Sequence, residues 1–327
     1  MLGLSALMSG YAQQGEGVRK GRIVREPLVH DPVMAKEGDT YYLYSTGHNV
    51  SFFSSKDLSE WTIRHGVFSA PPQWAVDSIK GYEGHTWAPD IIYYKGNYHL
   101  FYSCSTFGKN TSAIGHAYRK TLNPDSDEPW TDTGVVIVSH AHDNFNAIDP
   151  NIVIDEEGNP WMTFGSFWGG IQLVRLTEDL TSTLKPEILY TICTRQFEGA
   201  SDVPSRSVNS VEAPFIFKHG GYYYLFVSYD FCCRGLKSDY KVVVGRSTRV
   251  TGPYVDKDGR ELTRGGGSLV VDSNDEFVAI GHSAAYHFDG KDYFMAHGYS
   301  RSEDGASNLF FREMTWDEEG WPLVSAE

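Results

Sequence analysis

The chain has 327 residues, with 42 acidic against 28 basic side chains and a formal net charge of −14; this balance excludes a nucleic-acid footprint and argues against an anionic membrane surface or a polyanionic substrate. Four cysteines exclude a disulfide scaffold, and 41% hydrophobic content with 8 Trp, 20 Tyr and 18 Phe excludes disorder. Thirty-three glycines beside many β-branched and aromatic residues favour short strands joined by tight turns.

In chain order, the first 14 residues are uncharged, and Glu16 is the first charged side chain. Gly10-Tyr11-Ala12 places small residues three and one positions before a candidate cut after Ala12, as in a secretory signal peptide, although the basic leader is missing. Residues 1–20 are therefore expected to be a signal-peptide remnant or a frayed terminus, and the protein to be secreted or periplasmic. No other apolar run approaches the ~20 residues of a membrane span.

From residue 38 a pattern recurs, a Gly-containing turn followed by an aromatic-rich alternating strand. It starts at Gly38, Gly96, Gly158, Gly221 and Gly290, at spacings of 58, 62, 63 and 69 residues. A third strand-like segment follows each hairpin, as in Val50 to Trp61, Gly169 to Leu180 and Lys241 to Ser247. No stretch sustains a period of 3.6, so little helix is expected. Five units of three or four antiparallel strands closing radially give an all-β, five-bladed β-propeller over residues 21–327, with the segment Trp316 to Val324 completing the last blade. A two-sheet sandwich is the competing arrangement, but it does not need a period near 60.

The first strand of each repeat carries polar or acidic residues at nearly the same place. These are His30-Asp31-Pro32, Trp87-Ala88-Pro89-Asp90, Asn146-Ala147-Ile148-Asp149-Pro150-Asn151, Val211-Glu212-Ala213-Pro214 and Gly281-His282-Ser283. In a propeller these strands line the central channel, so the five places converge on one axis. Carboxylates crowded there shift one another's proton affinity and can hold different protonation states, which suits glycoside hydrolysis. Any one Asp-Pro or Ala-Pro-Asp could equally be turn chemistry; several in phase with a repeat point to a site. Trp74, Trp87, Phe107, Phe167 and Trp168 lie near these motifs as candidate sugar platforms, Trp87 and Trp168 closest.

These motifs, with Phe164-Gly165-Ser166-Phe167-Trp168-Gly169-Gly170-Ile171, Asp230-Phe231-Cys232-Cys233-Arg234-Gly235 and Gly245-Arg246-Ser247, resemble glycoside hydrolase family 43, and within it the endo-acting α-1,5-L-arabinanases. The resemblance runs from about Val29 to the C-terminus. It implies a five-bladed propeller and an inverting mechanism, with Asp31 as general base, Glu212 as general acid and Asp149 orienting the acid and adjusting its pKa. The carboxyl separation for inversion is roughly 6.5–9.5 Å. It further implies that His30, Trp87, Asn146, Ile148, Ser166 and Trp168 line the central sugar subsite and that Phe107 stacks on a neighbouring arabinose. Arg246 would bridge to the carboxylates or remain a solvated charge. The resemblance implies a metal, usually calcium, at His282 with waters, against a hydrogen-bonded channel histidine without metal. The local sequence departs here, with Ala279-Ile280-Gly281-His282 in place of the family's frequent Gly-Pro-Gly-His. Cys232 and Cys233 are compatible with a vicinal disulfide or with two thiols.

The implied substrate is the neutral arabinan of pectin, with no nucleic-acid or membrane partner and a monomer as the default. Rival activities are exo-arabinanase, α-L-arabinofuranosidase or β-xylosidase of the same family. A retaining hydrolase, with carboxyls about 5–5.5 Å apart, and a non-catalytic sugar-binding propeller stand further off. The segments 74–83 and 195–209 are the loops that would leave the groove open or block one end.

Overall fold

A computed structural model describes residues 21–195 and 209–325. The expected leader at 1–20 and nearly all of the segment 195–209 lie outside the described residues.

Among the described residues, the strands form five antiparallel sheets, each one blade of a five-bladed propeller. Blade one holds β1 (Ile23–Val24), β2 (Val33–Glu37), β3 (Thr40–Ser45), β5 (Ser51–Ser55) and β6 (Trp61–Ile63). Blade two holds β7 (His85–Tyr94), β8 (Asn97–Cys104), β9 (Ser112–Arg119) and β10 (Thr131–Ser139), with the short β4 (Gly47–His48) added on the inner edge of β7. Blade three is β11 (Asn151–Ile154), β12 (Pro160–Phe164), β13 (Ile171–Arg175) and β14 (Tyr190–Cys193). Blade four is β15 (Val211–His219), β16 (Tyr222–Tyr229), β17 (Lys241–Ser247) and β18 (Ser268–Val271). Blade five is β19 (Phe277–Phe288), β20 (Lys291–Ser300), β21 (Ser307–Trp316) and β22 (Pro322–Val324), so the segment expected to finish the ring does so.

The five repeat glycines all sit in the hairpin after the first strand, at φ between 58° and 87°, where a residue lacking Cβ is unstrained. Alternation then buries one aromatic face of each second strand between blades: Tyr44, Phe101, Phe164, Phe226 and Phe294 are at most 1% exposed. The ring closes through the N-terminal segment. Val29 N–H donates to Ser307 O at 3.0 Å and Leu309 N–H to Pro27 O at 3.1 Å, tying the start of the described chain to blade five. One departure from the expected pattern is the helix α1 (Gln73–Ser78) inside the segment read as a loop. Its Trp74 packs on Tyr102 and donates to Asp132, on the outer part of blade two.

The repeat reaches deeper than the turns. Asp31, Ala88, Asp149, Ala213 and His282 stand at equivalent places of the five inner strands, and all five have φ between 39° and 58°. Left-handed backbone at a non-glycine residue costs of the order of 1–3 kcal/mol. The neighbouring blade holds it in place: Thr46, Ser103, Ser228 and His297, on or just past second strands, accept the N–H of Ala88, Asp149, His282 and Asp31 respectively. Blade three breaks the rule, because Ala213 N–H goes to the Asp149 carboxylate at 3.1 Å.

Candidate active site

The left-handed turn lifts these five residues out of the strand ladder, and the register slips beside them in blades two, four and five. Three of the five, Asp31, Asp149 and His282, bring ionisable side chains to the axis, and Glu212 joins them from the position before Ala213. Asp90, counted among the converging acidic groups by its motif, does not join them. It accepts from Ile152 N–H at 2.7 Å and from Asn151 at 3.3 Å, tying blade two to blade three. Ala88, not Asp90, is the equivalent of Asp31.

Asp31 accepts three side-chain donors. Thr46 Oγ1 donates to Oδ2 at 2.5 Å, His282 Nδ1 lies 2.9 Å from Oδ1, and His30 Nδ1 lies 3.3 Å from Oδ1. Burial alone would raise its pKa, but the adjacent His282 and His30 hold it well below the usual carboxylate range. His282 shows the reciprocal effect: burial opposes its charge, yet Asp31 and then Asp149 and Glu212 lift its pKa to about 9. The two form an ion pair at neutral pH.

Glu212 is 9% exposed. Ser166 donates to its Oε2 at 2.6 Å and Tyr240 to its Oε1 at 2.9 Å. Burial raises its pKa, and those two donors only partly reverse the shift. Asp149 is pushed up to about 8, first by burial, with His282 opposing and Glu212 and Asp31 reinforcing. One carboxylate is thus held ionised while two others hold protons more tightly, the division an acid–base pair requires.

The remaining expected contacts fall into place unevenly. Ser166 touches Glu212 directly. Ile148 and Asn146 are buried beside Asp149, and Asn146 Oδ1 accepts from Ser112 at 2.7 Å. Trp87 is half-buried on β7 and donates to His85 at 2.9 Å. Phe107 is 48% exposed in the loop after β8, at the site end of blade two. Trp168 and Phe167 share the loop carrying Ser166, and Phe167 packs on Phe231 with ring centroids 5.6 Å apart. Cys232 and Cys233 are joined in a vicinal disulfide.

Arg246 is a correction. Val242 pairs with Ser228, the partner of Glu212, and Arg246 lies four residues further along β17, roughly 13 Å away at the far end of the strand. There its guanidinium lies between Tyr222 and Trp321 and donates to Glu319 O at 2.7 Å. It bridges blades four and five on the opposite face, where no carboxylate of the site can be reached.

Five participants carried no motif. Thr46 holds Asp31, Tyr240 holds Glu212, and His85 accepts the Trp87 indole N–H. His297 is wholly buried, kept neutral by burial and by His30 and His282, and accepts the Asp31 N–H at 3.1 Å through Nδ1. Tyr299 lies 3.2 Å from His30 Nε2. The signal that was there to read is His297-Gly298-Tyr299, whose i, i+2 spacing on β20 puts both side chains on one face.

Calcium takes six to eight oxygen ligands. At the expected position the chain offers one imidazole, whose Nδ1 is taken by Asp31 and whose Nε2 is the remaining ring nitrogen. His30, Asp31 and His297 also cluster, their ligand atoms within 4.8 Å of one another, but His297 Nδ1 is occupied by the Asp31 N–H. A calcium ion here would take one nitrogen from His282 and the rest of its shell from waters, and no step below runs through one.

A propeller whose axis gathers Asp31, Asp149 and Glu212 in environments that shift their proton affinities apart suits glycoside hydrolysis. The model of glycosyl hydrolases family 43 matches residues 22–322. An extracellular exo-α-(1→5)-L-arabinofuranosidase of Cellvibrio japonicus is 48% identical over 90% of this chain and 86% of its own length. An extracellular endo-α-(1→5)-L-arabinanase of Bacillus subtilis is 39% identical over 90% and 87%. The solved structure of Cellvibrio cellulosa α-L-arabinanase complexed with arabinohexaose superposes with a TM-score of 0.88 at 46% identity, covering 92% of this chain and 96% of that one. The chain belongs to glycosyl hydrolase family 43.

Proposed function

We propose that this protein hydrolyses α-1,5-linked L-arabinan with inversion at the anomeric carbon, outside the cytoplasm. The observation that carries the reading is the opposite displacement of Asp31 and Glu212 at one axis. Three of the four lone-pair directions of the Asp31 carboxylate are filled by His282, His30 and Thr46, which leaves one for a water. That water attacks the anomeric carbon and passes its proton to Asp31. The glycosidic bond breaks, and the departing oxygen takes the proton of Glu212. An oxocarbenium-like transition state acidifies the attacking water, so a weakly basic but ionised Asp31 suffices. Asp149 binds Ala213 N–H, the peptide next to the acid, and so fixes the direction of Glu212. Substrate identity is supported by the names of both relatives and by the arabinohexaose in the Cellvibrio cellulosa structure; export is supported by the relatives described as extracellular.

For the mode of cleavage, the 48% relative is exo-acting and the 39% relative endo-acting. The larger identity favours release from chain ends over the internal cleavage that the motifs suggested. Product length on debranched linear arabinan tests this. One short product from the first minutes is expected; an early spread of mid-length oligosaccharides would restore the endo reading, and no release would remove arabinan as the substrate.

The acid has its own test. Ser166→Ala removes a donor that favours ionised Glu212, so the Glu212 pKa rises. The alkaline limb of kcat/KM is expected to move to higher pH, with the acid limb unchanged. An unmoved alkaline limb would mean that Glu212 is not the group that limits activity there.

A further inference from the structure

β3 ends at Ser45 and β4 begins at Gly47, so Thr46 is the residue at which the chain passes from blade one to blade two. In the repeat, Ser45 stands where Ser103 and Ser228 do, seven residues after the turn glycine, but blade one uses the next residue to hold its neighbour. The left-handed turn at Ala88 and the register slip beside it free the Ala88 N–H from the ladder of β7. That N–H donates to Thr46 Oγ1 at 2.8 Å, and Thr46 Oγ1 donates to Asp31 Oδ2 at 2.5 Å. Ser103 and Ser228 accept the equivalent N–H groups of Asp149 and His282, but among the described residues neither hydroxyl donates to a carboxylate of the site.

The two oxygens of Asp31 are not equivalent. Oδ1 faces two imidazoles, His282 Nδ1 at 2.9 Å and His30 Nδ1 at 3.3 Å. Among the described residues, Oδ2 meets Thr46 alone. Each carboxylate oxygen has two lone pairs, so the open one is on Oδ2. A hydroxyl has a single hydrogen. With the Ala88 N–H filling a lone pair of Oγ1, that hydrogen is directed at Oδ2. The Thr46 backbone is fixed as well, its N–H donating to His30 O at 3.0 Å.

We propose that Asp31 Oδ2 is the atom that takes the proton of the attacking water, and that Thr46 is the positioning residue that aims it. The inference deepens the proposed hydrolysis and rests on Asp31 being the base. The water oxygen bonds to the anomeric carbon as one of its O–H bonds breaks, and that proton passes to Oδ2. The glycosidic C–O bond breaks, and its oxygen takes the Glu212 proton. Without the Thr46 hydroxyl, Asp31 is still held at Oδ1, but the carboxylate can turn about that contact and carry Oδ2 off the line of attack. The Ala88 N–H belongs to the peptide that joins Trp87 to Ala88, so the same hydroxyl ties the base to the strand of that candidate sugar platform.

The test is Thr46→Val, Thr46→Cys and Thr46→Ser, with Asp31→Asn and Glu212→Gln in parallel, on linear arabinan and on an arabino-oligosaccharide bearing an activated aryl leaving group. Valine keeps the branched shape without the hydroxyl, cysteine still accepts from Ala88 but donates weakly, and serine keeps both bonds. The aryl substrate needs no acid, so a defect on the base side persists on it. Thr46→Val is expected to lower kcat about tenfold to a hundredfold on both substrates, the range for a reacting group misplaced by about 1 Å. KM is expected within about threefold of wild type throughout, and the kcat of Thr46→Ser likewise. Thr46→Cys is expected to lose at least about threefold in kcat through its weak donor, and it decides the matter if the valine variant does not fold. Added to Asp31→Asn, Thr46→Val is expected to change kcat by less than about twofold, because residues in contact are not additive. Wild-type kcat in Thr46→Val or Thr46→Cys, a loss confined to arabinan, a change in KM alone, or a serine variant as slow as the valine one overturns the proposal. An additive loss in the double variant overturns it too, since it would make Thr46 a packing residue only. Asp31→Asn active on both substrates overturns the base assignment and this proposal with it.

Discussion

Asp31→Asn and Glu212→Gln are each expected to lower kcat on linear arabinan by about 10²- to 10⁴-fold, the contribution of a positioned general base or acid. Their effects on stability should have opposite signs. The Asp31 pKa is depressed in the folded protein, so its charge contributes stability above the unfolded carboxylate pKa, and that contribution is lost as pH falls. Asn removes it, and Tm at pH 7 is expected to drop. The Glu212 pKa is raised, so folding loses stability as pH rises past the unfolded value of 4.5. Gln removes that loss, and Tm at pH 7 is expected to stay or rise. Thermal melts of both variants beside their kinetics check the pair. Shifts of the same sign would show that the two carboxylates do not sit in opposed environments.

The second large effect is expected at Gly281, one residue before His282. A Cβ there would fall inside the Tyr240 ring. Tyr240 is fully buried and its hydroxyl holds Glu212, so the ring cannot yield without pulling the acid out of line. Overpacking of this kind costs about 1–3 kcal/mol, sometimes more. Gly281→Ala is expected to lower both Tm and kcat, and calorimetry beside a single activity assay decides it. A variant with wild-type Tm and kcat would mean that the strand has room which the packing around Tyr240 does not show.

Much of this was legible in the sequence because the fold is a repeat. The turn glycines and the aromatic strands after them recur at a near-constant spacing, and that spacing alone separates a propeller from a sandwich. The inner-strand motifs were legible for the same reason: Asp31, Ala88, Asp149 and Ala213 each precede a proline, and His282 stands in phase without one. Asp90 misled because the motif shows an acid but not its direction. Two residues past Ala88 the strand has returned to its ladder and the side chain faces the next blade. Arg246 misled because a strand has two ends and composition does not say which one meets the axis. Tyr240, His297 and Tyr299 were hidden because tyrosine and histidine also fill the ordinary faces of these strands, as Tyr44, Tyr102 and His116 do between blades. What separates the two groups is a contact to Glu212, to Asp31 or to the His30 beside it, all distant in the chain, which no local pattern records.

The assignment of acid and base is tested most directly by one comparison: the activity that Glu212→Gln and Asp31→Asn each retain, relative to wild type, on linear arabinan and on an aryl arabino-oligosaccharide with an activated leaving group. A good leaving group departs without a proton, whereas the attacking water still needs its base. The site predicts that Glu212→Gln recovers to within about tenfold of wild type on the aryl substrate while Asp31→Asn stays impaired on both. Equal impairment of the two variants on both substrates would contradict the division of roles between Asp31 and Glu212.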